Sequence, residues 1–258
     1  MDCSGESAGD CPPGPAFNDP WAGLLAGESG KAALDAAAYN PFLPVRTRYF
    51  DDRILGTVRK GTQIVLLGAG MDTRAFRLPL PASCTVFEVD YAEAFAQKES
   101  ILQTASSRCE RRCVLTDLSG PWIQALLDAG FDRRTPTIWV AEGLFFYLAV
   151  PDAESLVHDA AALSCQGSTF LADIFGTGLL ALEGMVPLVV QRRSTGRPLP
   201  FCTDSPEALF LAGGWNNASV VQPGEPAANF GRLTRMPSAR DAAEQQNNLR
   251  TYLVTAAR

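Results

Sequence analysis

From residue 63 onward the chain alternates short apolar runs with amphipathic stretches. Apolar runs at 63–67, 85–89, 113–116, 137–141 and 169–173 predict strands. Between them, 92–103, 121–129 and 152–163 read as helices. Such alternation predicts a parallel sheet with helices on both faces, and near-continuous apolar strands fit burial on both sides. Upstream, short helices run from Asn18-Asp19-Pro20 through Trp21, Leu24, Leu25, Leu34 and Ala38. A second helical segment follows Pro44 and covers 45–55, with Tyr49, Phe50, Ile54 and Val58 at helical spacing. The rhythm breaks after Phe175 into an irregular insertion over 184–203. A helix at 205–212 and two strands, 218–222 and 249–255, close the chain.

Residues 1–16 are rich in Gly, Pro and Ser and predict a disordered tail. The remainder, 17–258, reads as one domain, with 17–60 as a helical N-terminal extension and 176–204 as an insert on the substrate side. Hydrophobic content of 47% with 19% charged residues is ordinary for a globular protein. No apolar run approaches the roughly 20 residues of a membrane span. The acidic start, Met1-Asp2-Cys3-Ser4-Gly5-Glu6, lacks the basic and apolar regions of a signal peptide, so a cytoplasmic location and no membrane partner are expected. A net charge of −6 argues against nucleic acid as a partner. The seven cysteines form no Cys-x-x-Cys pair, and Cys109 and Cys113 lack the partners of a tetrahedral site. Reduced thiols and no metal are expected.

Candidate chemistry centres on Val65-Leu66-Leu67-Gly68-Ala69-Gly70-Met71-Asp72-Thr73-Arg74, answered by Val86-Phe87-Glu88-Val89-Asp90 about 22 residues after the first glycine. Glycines let the backbone approach a nucleoside, and an acid after the next strand suits ribose hydroxyls. A dinucleotide turn wants a third glycine where Thr73 stands, and Asp72 would repel a pyrophosphate. S-adenosylmethionine, an adenosine carrying a cationic amino acid and no phosphate, suits this turn better.

In such sheets ligands bind beyond the carboxyl ends of the strands. Acids stand at four of them: Asp72 after the first, Glu88 and Asp90 on the second, Asp117 with Leu118 after the third, and Glu142 after the fourth. Together they predict a shared nucleoside pocket, although Asp117 ahead of Pro121 could also be a helix cap.

These residues closely resemble the leucine carboxyl methyltransferase family, including its bacterial relatives acting on small molecules. The matching motifs are Val45-Arg46-Thr47-Arg48-Tyr49-Phe50-Asp51-Asp52, the glycine turn through Arg74, Phe87-Glu88-Val89-Asp90, Thr116-Asp117-Leu118 and Ala141-Glu142-Gly143-Leu144. Arg197-Pro198-Leu199-Pro200-Phe201 and residues 249–256 look like the bacterial branch. The resemblance implies an α/β, Rossmann-like class I methyltransferase: a mostly parallel seven-stranded sheet, helices on both faces, an N-terminal helical extension and an insert over the substrate. It further implies that Arg48 pairs with the S-adenosylmethionine carboxylate and that Gly68, with Ala69 and Gly70, lies against the methionine part. Asp90 would take the ribose, Asp117 and Leu118 the adenine, and Glu142 the amino group. For Arg48 the plainer alternative is an ion pair to Asp51 or Asp52 on its own helix.

Phe145, Phe146 and Tyr147 follow Glu142. Core packing suits the two phenylalanines, while Tyr147, with its polar tip, is the candidate for an acceptor pocket. The single histidine, His158, falls on a helix away from the strand ends. A carboxylate acceptor needs no base near neutral pH, whereas a phenol does. The reading is therefore an O-methyltransferase acting on a small molecule, with a carboxylate favoured over a hydroxyl. The alternatives are a protein C-terminal leucine carboxyl methyltransferase, a non-catalytic S-adenosylmethionine-binding protein and a nicotinamide oxidoreductase.

Overall fold

The computed structural model describes residues 16–36, 40–233 and 249–258. The tail expected over 1–16 therefore lies almost wholly outside the described residues, as does Ala38. Seven strands form one sheet in the order β3-β2-β1-β4-β5-β7-β6. They are β1 (Gln63–Leu67), β2 (Thr85–Asp90), β3 (Glu110–Leu115), β4 (Thr137–Ala141), β5 (Thr169–Phe175), β6 (Asn217–Val221) and β7 (Thr251–Ala257). β1 to β5 run parallel to one another, and β7 runs antiparallel to both β5 and β6. The order reverses between β1 and β4, and there the carboxyl ends diverge to leave a crevice.

Alternation along the buried strands feeds two cores. Val65, Leu67, Phe87, Val89 and Trp139 face one side, packed with α5 (Trp122–Asp128), α6 (Val150–Ala162) and α8 (Pro206–Ala212). Ile64, Leu66, Val86, Ile138 and Val140 face the other. On that second side the connection from β1 to β2 contains only one helical turn, α3 (Arg74–Arg77). α2 (Phe42–Thr57) supplies Val45, Tyr49, Phe50 and Ile54 to the same cluster, so the N-terminal extension covers part of this face of the sheet. Each such side chain contributes roughly 1.5–3 kcal/mol by leaving water. α1 (Ala22–Ala36) adds Leu25, and α4 (Ala92–Leu102) adds Leu102.

Three expected boundaries move for identifiable reasons. α2 begins ahead of Pro44, because proline is tolerated in a first turn and the Asn40 side chain accepts the Phe42 N–H at 3.0 Å. β3 begins at Glu110 rather than Cys113, since an edge strand tolerates the charged Glu110-Arg111-Arg112 run that hides it. The insertion expected to be irregular holds a helix, α7 (Val186–Ser194), opening with Pro187. Its apolar pattern is faint because only Val189 is buried there. Among the described residues no helix is long and apolar enough to cross a membrane.

Glu88 corrects an expectation about the strand-end acids. It is fully buried, accepting Lys98 Nζ at 2.7 Å and both Arg111 Nε and Nη2 at 2.8 Å. It ties α4 and β3 to β2 instead of facing a ligand. Glu88→Leu strands the buried Lys98 ammonium and is expected to cost about 3–5 kcal/mol in urea unfolding. Glu88→Leu with Lys98→Met should restore at least half of that loss, and simple additivity of the two changes would overturn the pairing.

Candidate functional site

The turn after β1 is built on two glycines with positive φ, 64° at Gly68 and 43° at Gly70. A Cβ on Gly68 would lie 3.0 Å from the Leu144 side chain, so the turn after β4 presses against it. Asp90, the last residue of β2, holds the turn from the other side: Oδ2 accepts the Gly70 N–H at 2.6 Å and Oδ1 accepts that of Tyr91 at 2.7 Å. The carboxylate keeps lone pairs for a ligand.

Two cavities flank this turn, and Gly68 borders both. The larger, about 590 Å³, is lined by Asp90, Tyr91, Asp117, Leu118, Leu144 and Tyr147 among others. Asp117 is exposed; the Ser119 N–H and the Tyr91 hydroxyl hold its carboxyl below the usual range, while the same contact raises Tyr91. The smaller, about 330 Å³, is walled by the Gly68-Ala69-Gly70 backbone, Arg46, Thr47, Asp72, Arg74 and Glu142.

Charge in the smaller cavity is dense and paired. Glu142 Oε1 accepts Arg46 Nε at 3.0 Å and the Thr47 hydroxyl at 2.9 Å, and Oε2 accepts Arg74 Nη2. Burial would raise its pKa, but the Arg74 and Arg46 guanidinium groups outweigh burial and hold it at about 2. Arg74 is itself buried and reaches Asp51 at 2.8 Å and the Asp72 carboxylate. Arg46 continues to Asp173 Oδ2 at 3.0 Å, while Asp173 Oδ1 accepts the Gly143 N–H at 2.6 Å. Burial pushes Asp173 up, with Arg46 opposing. Thus α2, the β1 turn, the β4 turn and β5 are joined through four side chains.

The residues expected from sequence separate into two groups. Gly68, Ala69, Gly70 and Glu142 line the smaller cavity; Asp90, Asp117, Leu118 and Tyr147 line the larger. Arg48 lines neither. Its Nε bonds both Asp52 oxygens, at 2.8 and 2.9 Å, and Nη1 donates to the Ala16 carbonyl. It forms the ion pair along its own helix, the plainer of the two alternatives, and Arg46 rather than Arg48 lines the smaller cavity. Helix geometry explains the exchange: positions two apart point to opposite sides, and Arg48–Asp52 is an i,i+4 pair on the outer face. The sequence signal was present, since Arg46 adjoins the buried stripe of Val45, Tyr49 and Phe50. Thr47, Asp51 and Arg74 were also missed, each sitting within a motif already noted. Asp72 is bound by Arg74 through both backbone and side chain, which satisfies it without a ligand. His158 is exposed on α6 and lines neither cavity.

A mostly parallel seven-stranded sheet of this order, with a glycine turn tied to an acid at the reversal point, is a Rossmann-like methyltransferase fold. The profile of the leucine carboxyl methyltransferase family matches residues 12–161, more than half of the chain, and the chain belongs to that family. A proposed S-adenosyl-L-methionine-dependent methyltransferase from Parafrankia sp. is 46% identical over 174 residues, covering 66% of this chain and 53% of the relative. A similarly described protein from Frankia alni is 42% identical, covering 60% and 59%. The match thus spans a little over half the length of these relatives. Among solved structures, a proposed methyltransferase from Thermobifida fusca superposes with a TM-score of 0.57 at 17% identity, covering 90% of this chain and 88% of that one. A DUF574 family protein from Streptomyces avermitilis gives 0.56 at 18%, covering 90% and 89%. At these identities both speak to the fold.

The lowered pKa of Glu142 has a measurable consequence. Its folded value of about 2 lies below the roughly 4.3 of an unfolded glutamate, so ionised Glu142 stabilises the fold above that pH and the contribution drains away as pH falls toward 2. In urea unfolding at stepped pH, the stability gap between wild type and Glu142→Gln should narrow by about 3 kcal/mol from pH 6 to pH 2. A gap independent of pH would show that the arginines do not hold Glu142.

Proposed function

We propose that this chain is an S-adenosylmethionine-dependent O-methyltransferase that methylates a small-molecule metabolite in the cytoplasm, with a carboxylate as the favoured acceptor. One observation carries the reading: a close-approach glycine turn at the sheet's reversal point, with an acid on the nucleoside side and an Arg–Glu pair on the other. The names of the Parafrankia and Frankia relatives support methyl transfer from S-adenosylmethionine.

The donor set fits this group. Arg46, its guanidinium plane pinned by Glu142 and Asp173, faces the carboxylate end. Glu142, kept anionic by its arginines, takes the ammonium. Gly68 lets the backbone approach the methionine chain, Asp90 accepts from the ribose hydroxyls, and Asp117 and Leu118 border the adenine. A pyrophosphate fits poorly, because α3 is a single turn without the long helix whose N-terminus would face it. When bound, S-adenosylmethionine supplies an electrophilic methyl on a cationic sulfur, which an acceptor oxygen takes in line, leaving a neutral thioether.

What the chain contributes to that step is placement. Fixing two reactants in line is worth roughly 7–11 kcal/mol of barrier. No histidine lines either cavity, and Glu142 and Asp117 are both held low in pKa, which makes them poor bases near neutrality. A carboxylate acceptor is already ionised and needs none.

In calorimetric titration with S-adenosylhomocysteine, Arg46→Ala and Asp90→Ala are each expected to bind at least tenfold more weakly than wild type, with Arg48→Ala within twofold. The reverse ranking of the two arginines would remove this site assignment. With methyl-labelled S-adenosylmethionine and a size-fractionated cell extract, label should enter small molecules and be released by mild alkali as methanol. Alkali-stable label would mean a hydroxyl acceptor, and alkali-labile label in the protein fraction a C-terminal carboxyl.

A further inference from the structure

Three aromatic residues follow Leu144 and take different paths. Phe145 turns inward to 1% exposure, with its ring centroid 5.7 Å from that of Phe201. Phe146 and Tyr147 stay outside the core, their rings edge to face at 5.3 Å. Phe146 also meets Phe175 edge-on at 6.2 Å, and Phe175 meets Phe42 at 6.3 Å. Four rings therefore form a row from Tyr147 to Phe42.

The row is drawn from three segments: the first turn of α2, the turn after β4 and the end of β5. The same segments supply Arg46, Glu142 and Asp173. The two features join at Phe42, whose ring lies 5.5 Å from the Arg46 guanidinium carbon. Phe42, Phe146 and Phe175 are half-buried and Tyr147 is 73% exposed. Core packing accounts for rings such as Phe145, Phe170 and Phe210, each at 1% exposure or less. It does not account for a contiguous set left partly in water beside a dense polar site, since rings placed only for stability gain by going under.

We infer that this row seats the body of the methyl acceptor, and that the acceptor is a flat aromatic carboxylic acid. The inference rests on the methyltransferase reading above. Edge-to-face rings offer a planar partner quadrupole contacts that a saturated body of the same shape does not receive. Tyr147, at one end of the row, lines the larger cavity together with Gly68, so an acceptor ring seated along the row presents its carboxylate toward that cavity. The carboxylate oxygen forms the new bond to carbon, the sulfur–carbon bond breaks with its pair going to sulfur, and no proton moves.

The probes are 2-naphthoate and its saturated counterpart, decahydro-2-naphthoate, titrated into protein saturated with S-adenosylhomocysteine. Phe146→Leu and Phe175→Leu keep the apolar bulk and remove the ring. Wild type should bind 2-naphthoate at least tenfold more tightly than the saturated acid. Each variant should lose at least fivefold of the 2-naphthoate affinity while its S-adenosylhomocysteine affinity and melting temperature stay close to wild type. Equal binding of the two acids, unchanged 2-naphthoate binding in both variants, or no 2-naphthoate binding by wild type would overturn the inference. If wild type fails to bind S-adenosylhomocysteine, the cofactor reading falls, and the same titrations on ligand-free protein decide the aromatic row on their own.

Discussion

The carboxylate of Glu142 is the point on which the site's architecture turns. Three donors from two separate regions converge on it: Arg46 and Thr47 from α2, and Arg74 from the turn after β1. Left alone at this depth it would take up a proton; with its arginines it stays charged. Those arginines are in turn held by Asp173, Asp51 and Asp72, so neither Arg46 nor Arg74 is balanced by a single carboxylate. Buried charge networks of this kind add little net stability, because desolvation offsets attraction, but they tolerate few alternative geometries. The position of α2 over the sheet is thereby specified by charge as well as by its apolar stripe.

Neighbouring residues of the same type take opposite roles, and that bears on what the sequence could reveal. Glu88 and Asp90 both end an apolar run and, two apart, share one face of the strand, yet Glu88 is buried against Lys98 and Arg111 while Asp90, one residue past the last β1 partner Val89, reaches the glycine loop. Arg46 and Arg48 part for a different reason, on opposite sides of a helix. Strand and helix identity was legible because hydrophobic period determines it, and the glycine turn because few residues accept its backbone angles. Which face a polar residue takes was legible only by registering it against the apolar stripe beside it. The acids could be listed from sequence, but their guanidinium partners could not, since Arg74 and Glu142 meet across 68 positions of chain.

The N-terminal extension also changes standing once it is seen on the sheet. Read as sequence, 17–60 is an addition ahead of an α/β unit. In the structure, α2 packs on the same side of the sheet as α3, reaching β5 through Arg46–Asp173 and β7 through Tyr49–Thr255, and it carries Arg46 and Thr47 to the smaller cavity. Core and site therefore draw on the same helix, whose inner stripe is apolar and whose flank is ionic.

The placement of β7 orders the assembly of the sheet in time. Among the described residues β6 is hydrogen-bonded only to β7, and β7 is the strand through which it joins β5. A ribosome completes β6 some thirty residues before β7 emerges, so β6 waits as an unpaired edge while β1 to β5 can already zip together from their own parallel register. β7 is thus the keystone of that flank: it enters between two strands already synthesised, and the β6 edge of the sheet closes in one late step.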